Sequence, residues 1–259
     1  MNPFTPILHL IGSGATAYLL ASQLRDAKTR PNVLAGFYLA ESGSVPFLTK
    51  LRDRAEAEGD LWLAAKLTKH ANDERRHGQI FANALKQLNK EVIDFKKAAE
   101  AAEASESKDH DSPFFTNYYK GYSQADLKAD VIEWPVFLAS TYILEADAAG
   151  DFRRMARVLD GVPNMEKIQA GIFSVADDED GHASYLKEAM LRRYGYLTTE
   201  ALINAWRSRK VDALIAMVGS MIQRRGQMRT MAQDRVGDSG IESETTIDSA
   251  EAAVMVPAA

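Results

Sequence analysis

The chain reads as an all-α protein: a four-helix bundle with a long crossover, plus an accessory helix at each end. Three observations predict this. Apolar residues recur every three or four positions along several long stretches, the period of a helix with one buried face. Asp73-Glu74-Arg75-Arg76-His77 and Asp178-Glu179-Asp180-Gly181-His182 write one pattern twice, 105 positions apart, in a chain with five histidines. Each copy falls on such a stripe and follows a lone stripe glutamate, Glu41 or Glu145, by 33 and 34 residues. A helix puts residues three apart on one face, so each Glu-x-x-His offers a carboxylate and an imidazole to a common point. A four-helix bundle is the architecture in which two such pairs and two lone glutamates meet.

The elements follow in order. Residues 1–31 form an N-terminal extension with one helix from about Ala15 to Arg25. The bundle occupies 32–195. Its first helix, 32–58, carries Leu34, Phe37, Glu41, Val45, Leu48 and Leu51 on one stripe, with Pro46 predicted to kink it. The second runs from about Asp60 to Asn89 through Leu63, Leu67, His70, Glu74, His77, Phe81 and Leu88. Residues 91–123 break the pattern and read as the crossover, ending in an aromatic stretch from Phe114 to Tyr122. The third helix carries Val131, Trp134, Leu138, Thr141, Glu145, Phe152 and Met155, with Pro135 as a kink or a start. The fourth carries Ile168, Ile172, Val175, Glu179, His182 and Leu186 until Gly195 stops it. Residues 196–236 hold a fifth, accessory helix packed on the bundle, about Thr198 to Gln233, with apolar positions at Leu202, Trp206, Leu214, Val218, Met221 and Ile222. Its basic face is Arg207, Arg209, Lys210, Arg224, Arg225 and Arg229. The tail 237–259 has the composition of a disordered segment.

Composition narrows the chemistry. The absence of cysteine removes disulfides, thiolate zinc sites, iron–sulfur clusters and cysteine nucleophiles together, so any metal must be held by nitrogen and oxygen. A net charge of −5 gives no argument for nucleic acid or an anionic membrane as principal partner. No apolar run reaches the roughly 20 residues that span a bilayer, so a cytoplasmic protein is the expectation.

Burying an ionised carboxylate is costly unless it is paired, hydrogen-bonded or bound to metal. Glu41, Glu74, His77, Glu145, Glu179 and His182 would share one core, and four carboxylates neutralise two divalent cations. The oxygen-rich set with one nitrogen per ion suits a first-row metal with positions left open. Iron is the first expectation, with manganese or a mixed Mn/Fe pair as the rival. Asp73 and Asp178 are placed to accept the free ring N–H of a ligating histidine. Arg76 can pair with Asp178 across the bundle, whereas Gly181 occupies the corresponding position in the second copy. His70, one turn before Glu74, reads as a packed core histidine rather than a ligand; its counterpart is Val175.

These residues resemble the ferritin-like di-iron carboxylate superfamily, in which two helices give a lone Glu and two give Glu-x-x-His; the resemblance covers about residues 32–195. Asp73-Glu74-Arg75-Arg76-His77 looks like the Asp-Glu-x-Arg-His form of the oxygen-activating branch, and the two similar hairpins look like aldehyde-deformylating oxygenases and rubrerythrins. The resemblance implies a ferritin-like bundle, two iron ions held by the six residues above, and a non-haem oxidoreductase that turns dioxygen or peroxide on an organic, apolar substrate. It also implies an electron donor, and a homodimer is compatible with it. The alternative is an iron-handling or peroxide-scavenging protein without an organic substrate, and a scaffold without turnover is a third reading. Three departures stand out. Phe81 sits where reductase small subunits carry a radical tyrosine, Ala149 where monooxygenases place a threonine, and the cysteines of a rubrerythrin tail are missing.

One further motif competes. Ile11-Gly12-Ser13-Gly14-Ala15-Thr16-Ala17 imitates a dinucleotide-binding turn, but no strand with a ribose-binding acid follows. The start of a helix, with small residues allowing close packing, accounts for it better.

Overall fold

A computed structural model describes residues 5–94, 112–223 and 230–235, and their regular structure is almost entirely helical. Helix α1 spans Thr5–Arg25. It is longer than the predicted 15–25 helix, and the glycine motif at 11–17 lies inside it rather than in a strand-to-helix turn. Gly12 is there for proximity: a Cβ at this position would stand 3.0 Å from Leu214 Cδ1. Arg30 closes the C-terminus of α1, its guanidinium donating to the Leu24 carbonyl at 2.7 Å and the Arg25 carbonyl at 2.6 Å. These are two of the carbonyls that a helix end leaves without partners.

The same arginine opens α2 (Arg30–Ala57), with Pro31 in the first turn, where its missing N–H costs nothing. Pro46 lies within the helix. Gly59, at φ +81°, turns the chain, and the Asp60 carboxylate accepts the Leu63 N–H at 3.0 Å to start α3 (Leu61–Gln87). A short strand β1 (Lys90–Val92) follows and pairs antiparallel with β2 (Ala232–Asp234). That short pair leaves the all-α expectation standing but corrects another: the fifth helix does not continue to Gln233.

Helix α4 (Pro113–Tyr118) carries the aromatic stretch. Tyr118 and Tyr119 pack edge-on against Trp206, and the Tyr118 hydroxyl donates to the Ser140 carbonyl at 2.8 Å. Helix α5 (Trp134–Arg157) begins with Pro135 in its first turn, so this proline starts the helix and does not kink it. Val131, predicted on the helix stripe, precedes the helix and is 55% exposed. Helix α6 (Glu166–Gln223) is interrupted at Gly195, whose φ of 73° and ψ of 174° split it into 166–194 and 196–223 with no loop between.

Helix α2 packs along α3, α5 packs along α6, and α3 meets α6. Two apolar clusters result, one including Leu51, Leu67, Phe137 and Leu186, the other Phe37, Phe81, Phe152 and Ile172. The glutamates and histidines of the repeated motif lie along the helices between them. The segment 196–223 buries Ile203, Trp206, Val211 and Leu214, whereas Val218 and Ile222, apolar positions of the same helix, are exposed. Lys210 departs from expectation. It is buried, and its ammonium meets Asp147 at 2.5 Å, because a buried cation needs a counter-charge. Residues 95–111, which include most of the predicted crossover, lie outside the described residues, as do Arg224, Arg225, Arg229 and the 237–259 tail. Among the described residues no helix is long and apolar enough to cross a membrane.

One turn beyond Asp147 on α5, burial lifts the Asp151 pKa to about 6; Lys210 and Arg154 pull it down and the Asp147 charge adds to the rise. The folded pKa lies above the ordinary 3.8, so the proton is held more tightly in the fold. The stability this confers is complete below about pH 4 and is lost as pH rises through about 6. Asp151→Asn, which needs no proton, is expected to raise the melting temperature at pH 7.5 and to leave it unchanged near pH 4, as read by thermal denaturation at both pH values.

Candidate metal centre

Each candidate ligand is placed by the helical period. Glu74 and His77 are three apart on α3, Glu179 and His182 three apart on α6, and Glu41 and Glu145 come from the facing helices α2 and α5. All six are buried. His77 Nδ1 stands 3.2 Å from Glu41 Oε2, 3.3 Å from Glu179 Oε1 and 3.8 Å from Glu74 Oε1. His182 Nδ1 stands 3.1 Å from Glu179 Oε2, 3.7 Å from Glu74 Oε1 and 3.8 Å from Glu145 Oε2. Two four-residue groups emerge, each with its donor atoms within 4.8 Å of one another: Glu41, Glu74, His77 and Glu179, and His70, Glu74, Glu145 and His182. Glu74 belongs to both.

Both motif histidines turn Nδ1 towards the carboxylates and Nε2 outward. The outward nitrogens meet the aspartates crosswise: His77 Nε2 lies 3.1 Å from Asp178 Oδ2, and His182 Nε2 lies 3.1 Å from Asp73 Oδ2. Each aspartate therefore serves the histidine of the other motif. Such a contact keeps the proton on Nε2 and leaves an Nδ1 lone pair facing inward. Around this rim Lys69 meets Asp73 at 2.5 Å, and Arg76 pairs with Asp178 and donates to Ser174 at 2.7 Å. Asp178→Ala is expected to lower metal affinity by about 10–100-fold, measured by competition with a chelator.

The cluster is charged beyond what its own groups satisfy. Glu41 Oε1, His70 Nε2, Glu74 Oε1, Glu179 Oε1 and both Glu145 oxygens are buried without a hydrogen-bond partner. Buried polar atoms are ordinarily paired, and six without partners in one place need an explanation. Burial raises the Glu41 pKa well above the usual carboxylate range, with the charges of Glu74 and Glu179 adding to it. Burial and Glu145 do the same to Glu179. Glu74 and Glu145 fall below that range even though burial opposes it, Glu74 through contact with His70 and Glu145 through Glu179, His182 and His70. Desolvation holds His77 down to about 4. His182 goes the other way: burial lowers it, but Asp73, Glu145 and Glu179 raise it well above its ordinary value.

Divalent cations fit this donor set. They would supply partners to all six unpaired atoms, and two ions would balance four carboxylates. Two atoms each about 2.1 Å from one ion stand roughly 3.0–3.4 Å apart, and several of the separations above fall at or near that range. The two buried Glu/His clusters could hold metal ions.

Two neighbours of the centre carry no motif signal. The Ser44 hydroxyl, one turn after Glu41, lies 2.7 Å from the Glu41 carbonyl oxygen and 3.0 Å from Glu74 Oε2. The Tyr185 hydroxyl, one turn after His182, lies 2.8 Å from His70 Nδ1. His70 is buried, as the reading of it as a core histidine requires, and its Nε2 faces Glu74 Oε1 at 3.2 Å and Glu145 Oε1 at 3.4 Å.

No family model, curated protein or solved structure matches this chain. The functional reading therefore rests on the site.

Proposed function

We propose that the chain is a ferritin-like di-metal carboxylate protein, a four-helix bundle that binds two first-row metal ions, iron first and manganese second, and acts as an oxidoreductase on dioxygen or peroxide. The observation that carries this is the set of six buried, unpartnered donor atoms shared between two Glu/His groups with Glu74 common to both. Glu41, Glu74, His77 and Glu179 would hold one ion, and Glu74, Glu145 and His182 the other. A bound iron pair would supply the electrons for reducing dioxygen or peroxide. The protein's part is positional: Asp73 and Asp178 fix the histidine tautomers, Ser44 orients Glu74, and the two apolar clusters keep bulk water from the carboxylates.

Oxidation of an organic molecule is the primary reading, with an external donor returning the electrons. The phenylalanines Phe37, Phe81 and Phe152, with ring centroids 5.1–6.0 Å apart, present an apolar surface at one end of the site. The charged rim of Lys69, Asp73, Arg76 and Asp178 at the histidine end favours a second reading, iron handling or peroxide scavenging, because a polar approach suits ions and small oxidants. Anaerobic loading with Fe(II) followed by oxygen or peroxide tests both. Rapid bleaching and return of a visible absorption band over many reductant-driven cycles is the expected result. A loaded protein that fails to consume either oxidant rules out both oxidoreductase readings.

A further inference from the structure

We infer that His70 is a seventh metal donor, oriented by Tyr185, and that it makes the two metal positions chemically unlike. This rests on the di-metal reading above.

His70 is buried, stacks on His182 with ring centroids 3.7 Å apart, and has its two nitrogens in different surroundings. Nδ1 is 2.8 Å from the Tyr185 hydroxyl. Nε2 has no hydrogen-bond partner, although Glu74 Oε1 lies at 3.2 Å and Glu145 Oε1 at 3.4 Å, and both oxygens are themselves unpartnered. An N–H on Nε2 would therefore be a buried donor within reach of two oxygens but aligned for a hydrogen bond with neither. The other tautomer resolves the arrangement. With the proton on Nδ1, His70 donates to the Tyr185 oxygen, and the Nε2 lone pair faces the gap bounded by Glu74 and Glu145. Nε2 stands 3.2 Å and 3.4 Å from two unpartnered oxygens, the spacing of atoms that share one ion, and the whole group's donor atoms lie within 4.8 Å of one another.

The duplication makes the consequence one-sided. The second motif has Val175, buried and without a donor, one turn before Glu179 where the first has His70. The position formed by His70, Glu74, Glu145 and His182 thus has two nitrogens, whereas that formed by Glu41, Glu74, His77 and Glu179 has one nitrogen and three carboxylates. Imidazole-rich sites prefer iron, cobalt and zinc, and carboxylate-rich sites suit manganese better. The two positions are expected to fill in order, the two-nitrogen position first with Co(II), and to divide a Mn(II)/Co(II) mixture unequally.

The test is a Co(II) titration of the metal-free full-length protein, followed by visible absorption and calorimetry, in wild type, His70→Ala, His70→Gln and Tyr185→Phe. Wild type is expected to show two affinities. His70→Ala should weaken one by more than the roughly 10–100-fold typical of losing an outer partner, and Tyr185→Phe should fall within that range. Millimolar imidazole should restore the lost site in His70→Ala, which a purely structural role for the ring would not allow. If His70→Ala does not fold, the glutamine and phenylalanine variants carry the same comparison. Two unchanged Co(II) affinities in variants that melt like wild type overturn the inference while leaving the di-metal reading intact; absence of Co(II) binding by wild type overturns both.

Discussion

Glu179→Gln is expected to weaken metal binding by at least about 100-fold and, in the same protein stripped of metal, to raise stability at pH 7. The two effects have one origin. Glu179 is fully buried beside Glu145, and burial and that charge push its pKa far up, so its carboxylate is a liability to the fold unless a cation compensates it. Glutamine keeps the shape and removes the ionisable group. Glu41→Gln should behave in the same way, since Glu41 is equally buried and shifted in the same direction. An ordinary structural carboxylate would show the opposite stability change, because truncating a satisfied partner leaves a donor unpaired. Chemical denaturation with and without saturating Mn(II) separates these outcomes.

Phe81→Ala is expected to cost about 3–5 kcal/mol, the usual range for emptying a well-packed aromatic position. Phe81 is fully buried and sits 5.3 Å from Phe37 and 6.0 Å from Phe152, centroid to centroid. The three rings tie α2, α3 and α5 together one or two turns from Glu41, His77 and Glu145. Phe81→Tyr should be costly for a different reason, since its hydroxyl would enter an all-phenylalanine contact and lose about 1–3 kcal/mol for want of a partner. Urea denaturation midpoints of the two variants check both values. A Phe81→Ala protein as stable as wild type would show that this end of the bundle is not the packed wall described above.

Much of the architecture was legible because it depends on local periodicity. Stripes at helical spacing marked the long helices, Asp60 and Gly195 marked boundaries through side-chain capping and a positive φ, and the repeated Glu-x-x-His pointed to residues that the structure brings together. What escaped depends on distant partners. His70 on an apolar seam gives no sign in the sequence of the Tyr185 hydroxyl, 115 residues away, that lies 2.8 Å from its Nδ1. Lys210 reads as part of a basic face until Asp147 is placed 2.5 Å from it. The β1–β2 pair joins three-residue strands whose paired residues Lys90 and Asp234 are 144 positions apart, each strand too short to show an alternation. Val218 and Ile222 continue an apolar period although, among the described residues, they stand exposed.

The most direct test of the central claim is elemental analysis of the purified full-length protein after anaerobic loading with Fe(II) or Mn(II) and removal of excess ion, alongside a Glu41, Glu74, Glu145 and Glu179 quadruple alanine variant. About two ions per wild-type chain and essentially none in the variant is the expected result. Stoichiometric metal retained by the quadruple variant, or none bound by wild type, would contradict a buried di-metal site.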